Sequence, residues 1–259
     1  MGAMEARPSP PPEGAAGEAG RGPGDHAASE HHHRNVQGGA ARAAVFGISD
    51  GLVSNVSLIL GVAGANPAPG VVRLAGLAGL VGGAFSMAAG EYVSMKAQAE
   101  LLERELELER IEIARRPDSE RRELAAIYRE RGVAADVADE LASHMMRDPE
   151  LALETHAREE LGIDPGELGS PVLASVSSFL AFAFGAVLPL APWFVSRGTA
   201  ATVASVVIGA VAAVAIGVAL AAFTGRSPAR SALRQLAIAT AAAAVTFGVG
   251  SAAGAGGLA

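Results

Sequence analysis

The sequence predicts an all-α polytopic membrane protein with five transmembrane helices and an acidic helical domain between the second and third spans. Half of the 259 residues are hydrophobic, and the mean hydropathy is +0.32 although 18% of the residues are charged. The charges are segregated, because positions 96–164 hold 19 of the 27 acidic residues and 11 of the 20 lysines and arginines. Abundant Ala and Gly with few aromatic residues are typical of helices that pack closely in a membrane.

The overall composition argues against nucleic-acid binding and excludes sites that depend on cysteine. A net charge of −7 argues against nucleic-acid binding. The absence of cysteine excludes disulfides and thiolate metal sites, so carboxylate, His, Met or backbone groups must hold any metal. Residues 1–41 are rich in Pro, Gly and polar residues and are predicted to be a disordered tail. The three histidines His31 to His33 in this tail either bind metal or are a solvated run without a role.

Residues 42–95 are predicted to form the first two spans. The first span, at about 43–65, reads AAVFGISDGLVSNVSLILGVAGA, and the turn signal NPAPG separates it from the second span at about 71–95. Neither Pro nor Gly interrupts the chain between Gly90 and about residue 114, so one helix would be on the order of 60 Å long. Because a bilayer core is about 30 Å thick, half of this helix would lie in lipid and half would project into water.

Residues 96–169 are predicted to form an acidic helical domain in the cytosol. Proline and glycine divide it into helices at about 96–115, 119–131, 134–147 and 149–161. Ser119 is the expected N-cap of the second of these helices. Apolar side chains recur at helical spacing, as in Leu124, Ile127 and Tyr128, so the helices should pack together as one small domain.

Residues 170–259 contain three further predicted spans, at about 172–195, 199–223 and 232–255. Trp193 is expected at a membrane–water interface near the end of the third span. With five spans, only Arg73 and Arg197 fall on one side of the membrane, and the other Lys and Arg residues fall on the opposite side. Since Lys and Arg mark the cytosolic side, the N-terminus and the acidic domain are predicted to be cytosolic.

Three side chains in the first two spans are candidates for an ion path. Asp50 lies within a span, where insertion of a carboxylate costs about 2.5–3.5 kcal/mol and such a residue usually marks an ion or proton pathway. Alternatively, Asp50 is a helix-end residue whose side chain reaches the membrane interface. Met87 and Glu91 are one helical turn apart and combine a soft with a hard ligand, which suits a borderline ion such as Fe²⁺. Alternatively, Met87 fills the core and Glu91 is a charge at the helix end.

The acidic domain contains candidate metal ligands on three helices, where acidic residues or a histidine recur three or four positions apart and so share a face. They are Glu105, Glu109 and Glu112 on the projecting helix, Glu120 and Glu123 on the next, and His156 and Glu160 on the last. Oxygen-rich clusters with His suit Fe²⁺, Mn²⁺ or Zn²⁺. The alternative is that these are solvated helix faces with weak ion pairs, as expected for Glu103 and Glu107.

Several stretches of the chain resemble the vacuolar iron transporter family. Residues 46–55, FGISDGLVSN, resemble that family's first-span motif, and residues 83–94, GAFSMAAGEYVS, resemble its second-span motif. The run ERIEI, a turn with Pro-Asp, SERRE and REELGI are similar to its cytosolic metal-binding domain. The resemblance extends over nearly the whole chain from about Arg42 onwards.

This resemblance implies a dimer of five-span subunits that exports Fe²⁺, and often Mn²⁺, from the cytosol in exchange for protons. It implies that Asp50 and Met87 line the ion path. It also implies a cytosolic metal site formed by Glu109, Glu112, Glu120, Glu123 and Glu160. Plant members carry two methionines where this chain has His156 and Ala157, so His156 would replace a methionine ligand whereas Ala157 cannot bind. The chain looks like a bacterial member, which implies the cell membrane as its location.

The predicted function is therefore divalent-metal export by a homodimer in membrane lipid, driven by protons. Fe²⁺ or Mn²⁺ would be the bound and transported ion, with no prosthetic group and no enzymatic activity. The alternative is a membrane-anchored metal buffer or sensor that does not transport. A metal-dependent enzyme such as a ferroxidase would need a closely held two-metal centre. Asp50 distinguishes the first two classes, because a simple anchor has no use for a carboxylate within a span.

Overall fold

The computed structural model describes residues 39–162, 164 and 169–256. Within these residues the chain forms nine helices: α1 (Gly39–Gly64), α2 (Pro69–Arg115), α3 (Pro117–Glu130), α4 (Ala135–Met145), α5 (Pro149–Glu159), α6 (Pro171–Leu190), α7 (Pro192–Val195), α8 (Gly198–Thr224) and α9 (Pro228–Ala255). Six of them carry proline in the first turn, where the missing N–H costs no helical hydrogen bond. The three tail histidines lie outside the described residues.

Five of the described helices, α1, α2, α6, α8 and α9, are long and apolar enough to cross a membrane. They agree with the five predicted spans, because the length of an apolar run decides whether a helix can exchange water for lipid. The protein is therefore a multi-pass membrane protein. Its orientation in the membrane remains a prediction.

The second span continues without a break into the charged region, as predicted. Helix α2 has 47 residues, which at 1.5 Å per residue makes it about 70 Å long. It ends at Arg115, and α3 begins two positions later at Pro117. Because this proline already occupies the first turn, Arg116 is the N-cap of α3 and the prediction that Ser119 is its N-cap is wrong.

The third predicted span is divided near its end. Helix α6 stops at Leu190, and the short helix α7 follows with Trp193 buried. The Nε1–H of Trp193 donates to Ser205 Oγ at 3.0 Å, and that hydroxyl donates to the carbonyl of Pro189 at 2.7 Å. A buried indole N–H needs such a partner. Trp193 therefore packs inside the protein near the end of the third span, and its position at a membrane–water interface stays a prediction.

Helix α1 lies at the centre of the spans and packs against α2, α6, α8 and α9. Its contact with α6 is so close that a Cβ atom on Gly51 would overlap the backbone of Phe182. In the same contact, a Cβ atom on Gly185 would overlap the backbone of Ile48. Small residues at these points let the two backbones meet, which holds the face of α1 that carries Asp50 in a defined direction.

Helices α3 and α5 contact the charged half of α2, and α4 packs on α3 and α5. We call these three helices, together with residues 96–115, the inter-span bundle. Helices α3 and α4 share an apolar cluster that includes Leu124 and Ala138. Helix α5 packs on α2 through Leu153 against Ile113. These contacts bury the apolar stripes that helical spacing predicts, and they bring α2, α3 and α5 side by side.

Candidate metal centre

Glu109 is buried although it lies on the charged half of α2. Only 6% of this residue is exposed, whereas its neighbours Glu107 and Arg110 are exposed and pair with each other at 3.2 Å. Ile113, one helical turn further on, packs against α5 and so holds this face of α2 against the bundle. A buried carboxylate is costly unless it is paired or binds a cation, so Glu109 is not an ordinary solvated charge.

His156 faces Glu109 from α5. That helix begins at Pro149, where the carboxylate of Asp148 accepts hydrogen bonds from two backbone N–H groups. Leu153 is directed at α2, and His156 follows three positions later on the same face with its side chain fully buried. Its Nδ1 lies 3.1 Å from Glu109 Oε1 and 3.5 Å from Glu160 Oε2.

Potential ligand atoms of Glu109, His156 and Glu160 all lie within 4.8 Å of one another. Two buried atoms of this group, Glu109 Oε1 and His156 Nε2, have no directed hydrogen-bond partner among the described residues. Each such atom costs about 1–3 kcal/mol while it stays unsatisfied. A cation seated between these side chains would satisfy Glu109 Oε1, because this oxygen and His156 Nδ1 both face the space between the three residues.

Glu120 on α3 joins the group electrostatically. Burial raises the pKa of its carboxyl group, and the nearby charges of Glu109, Glu123 and Glu112 raise it further, in that order. Burial likewise raises the pKa of Glu160, with a smaller contribution from Glu109, while the hydrogen bond with His156 opposes the change. The charges of these carboxylates therefore act on one another, and a cation bound among them would relieve that repulsion.

The pKa of His156 is shifted in the direction opposite to the one that its burial alone would cause. Burial alone would lower the pKa of His156, but the adjacent carboxylates of Glu109 and Glu160 outweigh it and raise that pKa above its ordinary value. A metal ion bound here would therefore compete with protons for the same imidazole and carboxylate atoms.

The structure brings the predicted ligands together to different degrees. Glu109, His156 and Glu160 are in contact, and Glu120 is buried beside them. Glu112 and Glu123 are exposed at the rim but close enough to change the pKa of Glu120. A set of carboxylates with one imidazole suits Fe²⁺, Mn²⁺ or Zn²⁺.

A second polar site lies between the spans. Asp50, Ser54 and Met87 line a cleft of about 280 Å³ between α1, α2 and α6, and the hydroxyl of Ser54 donates to Asp50 Oδ1 at 3.0 Å. Glu91 is not among the described residues that line this cleft; instead it accepts a hydrogen bond from Arg42 at 3.0 Å. The structure thus brings together two of the three candidates for an ion path and separates the third from them.

The region of the chain that matches known proteins contains both sites. A profile of the VIT family matches residues 41–251. The chain belongs to the VIT family. Vacuolar iron transporter 1 of Oryza sativa subsp. japonica is 31% identical over 231 residues, which cover 87% of this chain and 92% of that protein. Vacuolar iron transporter 1 of Eucalyptus grandis is 32% identical over 213 residues, or 82% of this chain and 86% of that protein. The resemblance inferred from the motifs is confirmed.

A relative from a different lineage is more similar over a shorter region. The vacuolar iron transporter of Acanthamoeba castellanii is 40% identical over 160 residues, which cover 61% of this chain and 58% of that protein. The VIT-family region includes the whole inter-span bundle, all of α2 with Met87, and α1 with Asp50 except for its first two residues. Within it, Ala157 is fully buried next to His156, so this position serves packing here.

One polar side chain of this VIT-family protein is part of the first-span motif but has no role assigned from the sequence. Asn55 lines the same cleft as Asp50 and is only 1% exposed. Its Nδ2–H donates to the carbonyl of Ala186 at 2.6 Å, while its Oδ1 has no partner among the described residues. In the sequence, the only signal was that Asn55 is a polar residue in an apolar span, five positions after Asp50. This spacing does not predict which way the amide oxygen of Asn55 points.

Proposed function

We propose that this protein exports divalent metal from the cytosol, Fe²⁺ first and Mn²⁺ second, in exchange for protons and as a homodimer. The observation that carries the proposal is the single helix α2, whose polar half holds Glu109 and whose apolar half holds Met87. One rigid element thus connects the metal centre of the inter-span bundle with the cleft between the spans. Relatives named vacuolar iron transporters over most of the chain support iron as the cargo.

The inter-span bundle would collect the ion. Glu109, His156 and Glu160 offer it oxygen and nitrogen ligands, while the exposed Glu112 and Glu123 attract cations to the entrance. The distribution of Lys and Arg favours a cytosolic position for this bundle, so the ion would be taken from the cytosol. The membrane would be the cell membrane.

Proton coupling follows from the competition at both sites. The pKa values of His156, Glu120 and Glu160 are all raised, so protonation of these groups would displace a bound cation at a higher pH than for unperturbed side chains. In the cleft, Asp50 is the one carboxylate among the described lining residues. Occupation of Asp50 by metal in one direction and by a proton in the other would couple the two movements.

The open side of the cleft supports a homodimer. Asp50 and Ser54 are exposed there, within a helix that is long and apolar enough to span the membrane. A carboxylate that faces lipid is costly, and a second subunit that covers this side would remove the cost. The ion would then pass between the two subunits.

The test is metal uptake into proteoliposomes under an imposed pH gradient, with Fe²⁺ or Mn²⁺ and a fluorescent indicator inside. The full chain should take up metal only when the gradient drives it, and Asp50→Ala and Asp50→Asn should abolish uptake. The matched control is Asp139→Asn, because Asp139 is exposed on α4 and lies outside both sites. Uptake that depends on neither the gradient nor Asp50 would refute antiport.

The same experiment addresses the buffer or sensor alternative. A buffer would bind metal through Glu109, His156 and Glu160 but would not carry it across the bilayer, and Asp50→Ala would leave its metal binding unchanged. Metal binding without any uptake by the full chain would therefore favour the buffer over the transporter.

A further inference from the structure

The amide of Asn55 has one orientation that its surroundings permit. Only its Nδ2–H can donate to the carbonyl of Ala186, which lies at 2.6 Å on α6. The Oδ1 atom must therefore point the other way, toward α2. There it lies beside Gly79, where a Cβ atom would come within 2.9 Å of it.

This oxygen is a buried acceptor that lacks a donor. It is closed off from water and has no hydrogen-bond partner among the described residues. The residue nonetheless lines the cleft that also contains Asp50 and Met87. Access of an ion to the oxygen requires a side-chain movement, and Leu58, which is exposed and lies next to the same point of α2, is placed to make it.

We propose that Asn55 Oδ1 is a metal ligand in the cleft, acting together with the Asp50 carboxylate and the Met87 thioether. The inference deepens the proposed function, on which it rests for the identity of the cargo. An amide oxygen is a hard ligand of the kind that divalent ions such as Mn²⁺ accept. It offsets the soft thioether of Met87, so Asn55 makes the cleft more selective for Mn²⁺ and Fe²⁺ over a softer ion such as Cd²⁺.

The competing explanation is that Asn55 only ties α1 to α6 through Ala186. Two substitutions separate these roles. Asn55→Leu removes both the tie and the oxygen. Gly79→Ala leaves Asn55 in the chain and adds a methyl group within 2.9 Å of its Oδ1, with the flexible end of Leu58 moving aside. Gly82→Ala is its matched control, since no described atom outside its own helical turn lies within 4 Å of the Cβ position of Gly82.

The experiment measures equilibrium Mn²⁺ and Cd²⁺ binding by the full chain in detergent micelles. Glu109→Ala and His156→Ala are present in every variant to weaken the metal centre of the inter-span bundle. The binding that Asp50→Ala removes then defines the cleft site. Asn55→Leu and Gly79→Ala should each weaken Mn²⁺ at this site on the order of tenfold or more, with a smaller loss for Cd²⁺. Gly82→Ala should bind both ions like the parent protein.

Three results would overturn the proposal. One is the absence of an Asp50-dependent Mn²⁺ site. Another is unchanged Mn²⁺ affinity in Asn55→Leu. The third is a combination of two observations. Gly79→Ala binds both ions like Gly82→Ala, and Asn55→Leu loses affinity for both ions equally and unfolds at a lower temperature. This combination is what a purely structural role of Asn55 predicts.

Uptake assays with the same cleft substitutions in otherwise native chains distinguish this proposal from the proposed function. If Asn55-dependent Mn²⁺ binding is found but no Asp50-dependent uptake occurs, the transport proposal fails and the ligand assignment stands. If uptake depends on Asp50 while both ions bind independently of Asn55, transport stands and the ligand assignment fails.

Discussion

The imidazole Nδ1 of His156 lies 3.1 Å from Glu109 Oε1, although the two residues belong to different helices, α5 and α2. Both side chains are buried, at 0% and 7% exposure. Packing of Leu153 against Ile113 sets this distance, because each residue lies within about one turn of the pair. The apolar contact between the helices therefore positions the polar site.

Removal of either partner should weaken metal binding. We expect His156→Ala and Glu109→Gln each to reduce the affinity for Mn²⁺ by about 10–100-fold, because each removes a ligand or the group that orients one. Isothermal titration of the full chain in detergent measures this. Glu107→Gln is the control, since Glu107 is exposed and pairs with Arg110. Equal affinities for all three variants would show that the buried group does not bind the ion.

The stability of the metal-free protein should fall as the pH rises. The pKa of His156 is raised in the folded state, so its contribution to stability is complete below the unfolded value of about 6.5 and is lost as the pH rises through the folded value. The raised pKa values of Glu120 and Glu160 act in the same direction at lower pH. Thermal unfolding of the metal-free chain at a series of pH values measures the effect. His156→Gln should flatten the dependence above pH 6.5.

Metal binding should show the opposite dependence on pH. Protons must leave His156, Glu120 and Glu160 before a cation can use these atoms, so the affinity for Mn²⁺ should increase as the pH rises. Because these pKa values are raised, the loss of affinity on acidification should begin at a higher pH than for an unperturbed histidine. Titrations in two buffers of different ionisation enthalpy would count the protons released. Binding without proton release would contradict the prediction.

Ala157→Met should destabilise the protein and should not improve metal binding. Ala157 is fully buried beside His156, so a longer side chain has no space and should cost about 1–3 kcal/mol. The control is Ala114→Met on the exposed face of α2, which should have little effect on the unfolding temperature. Tighter Mn²⁺ binding in Ala157→Met would show that a thioether can enter the site after all.

Gly51→Ala should disturb the contact between α1 and α6. The added methyl group would meet the backbone of Phe182, which cannot move aside as a flexible side chain can. We expect a loss of about 1–3 kcal/mol in unfolding free energy. Gly248→Ala is the matched control, because no described atom outside its own helical turn lies within 4 Å of its Cβ position. Comparable unfolding temperatures for the two variants would show that the helices can separate without cost.

Much of the fold was predictable because it depends on local properties of the chain. The length of each apolar run identifies the five helices of spanning length, and the absence of Pro and Gly after Gly90 identifies the continuous helix α2. The features that were not predictable depend on distant contacts. Ser205, on another helix, provides the hydrogen-bond partner that places Trp193 inside the protein, and no local pattern around Trp193 contains that information.

The sequence by itself determined the family, the helices of spanning length and the residues that share a helix face. Only the tertiary structure decided that, of three acidic residues on one face of α2, Glu109 is the one buried against His156. Likewise, Ala186, 131 positions away, orients the amide of Asn55. The physical reason is that helical periodicity relates side chains within a helix, whereas the rotation and register of one helix against another depend on packing contacts such as that between Ile113 and Leu153.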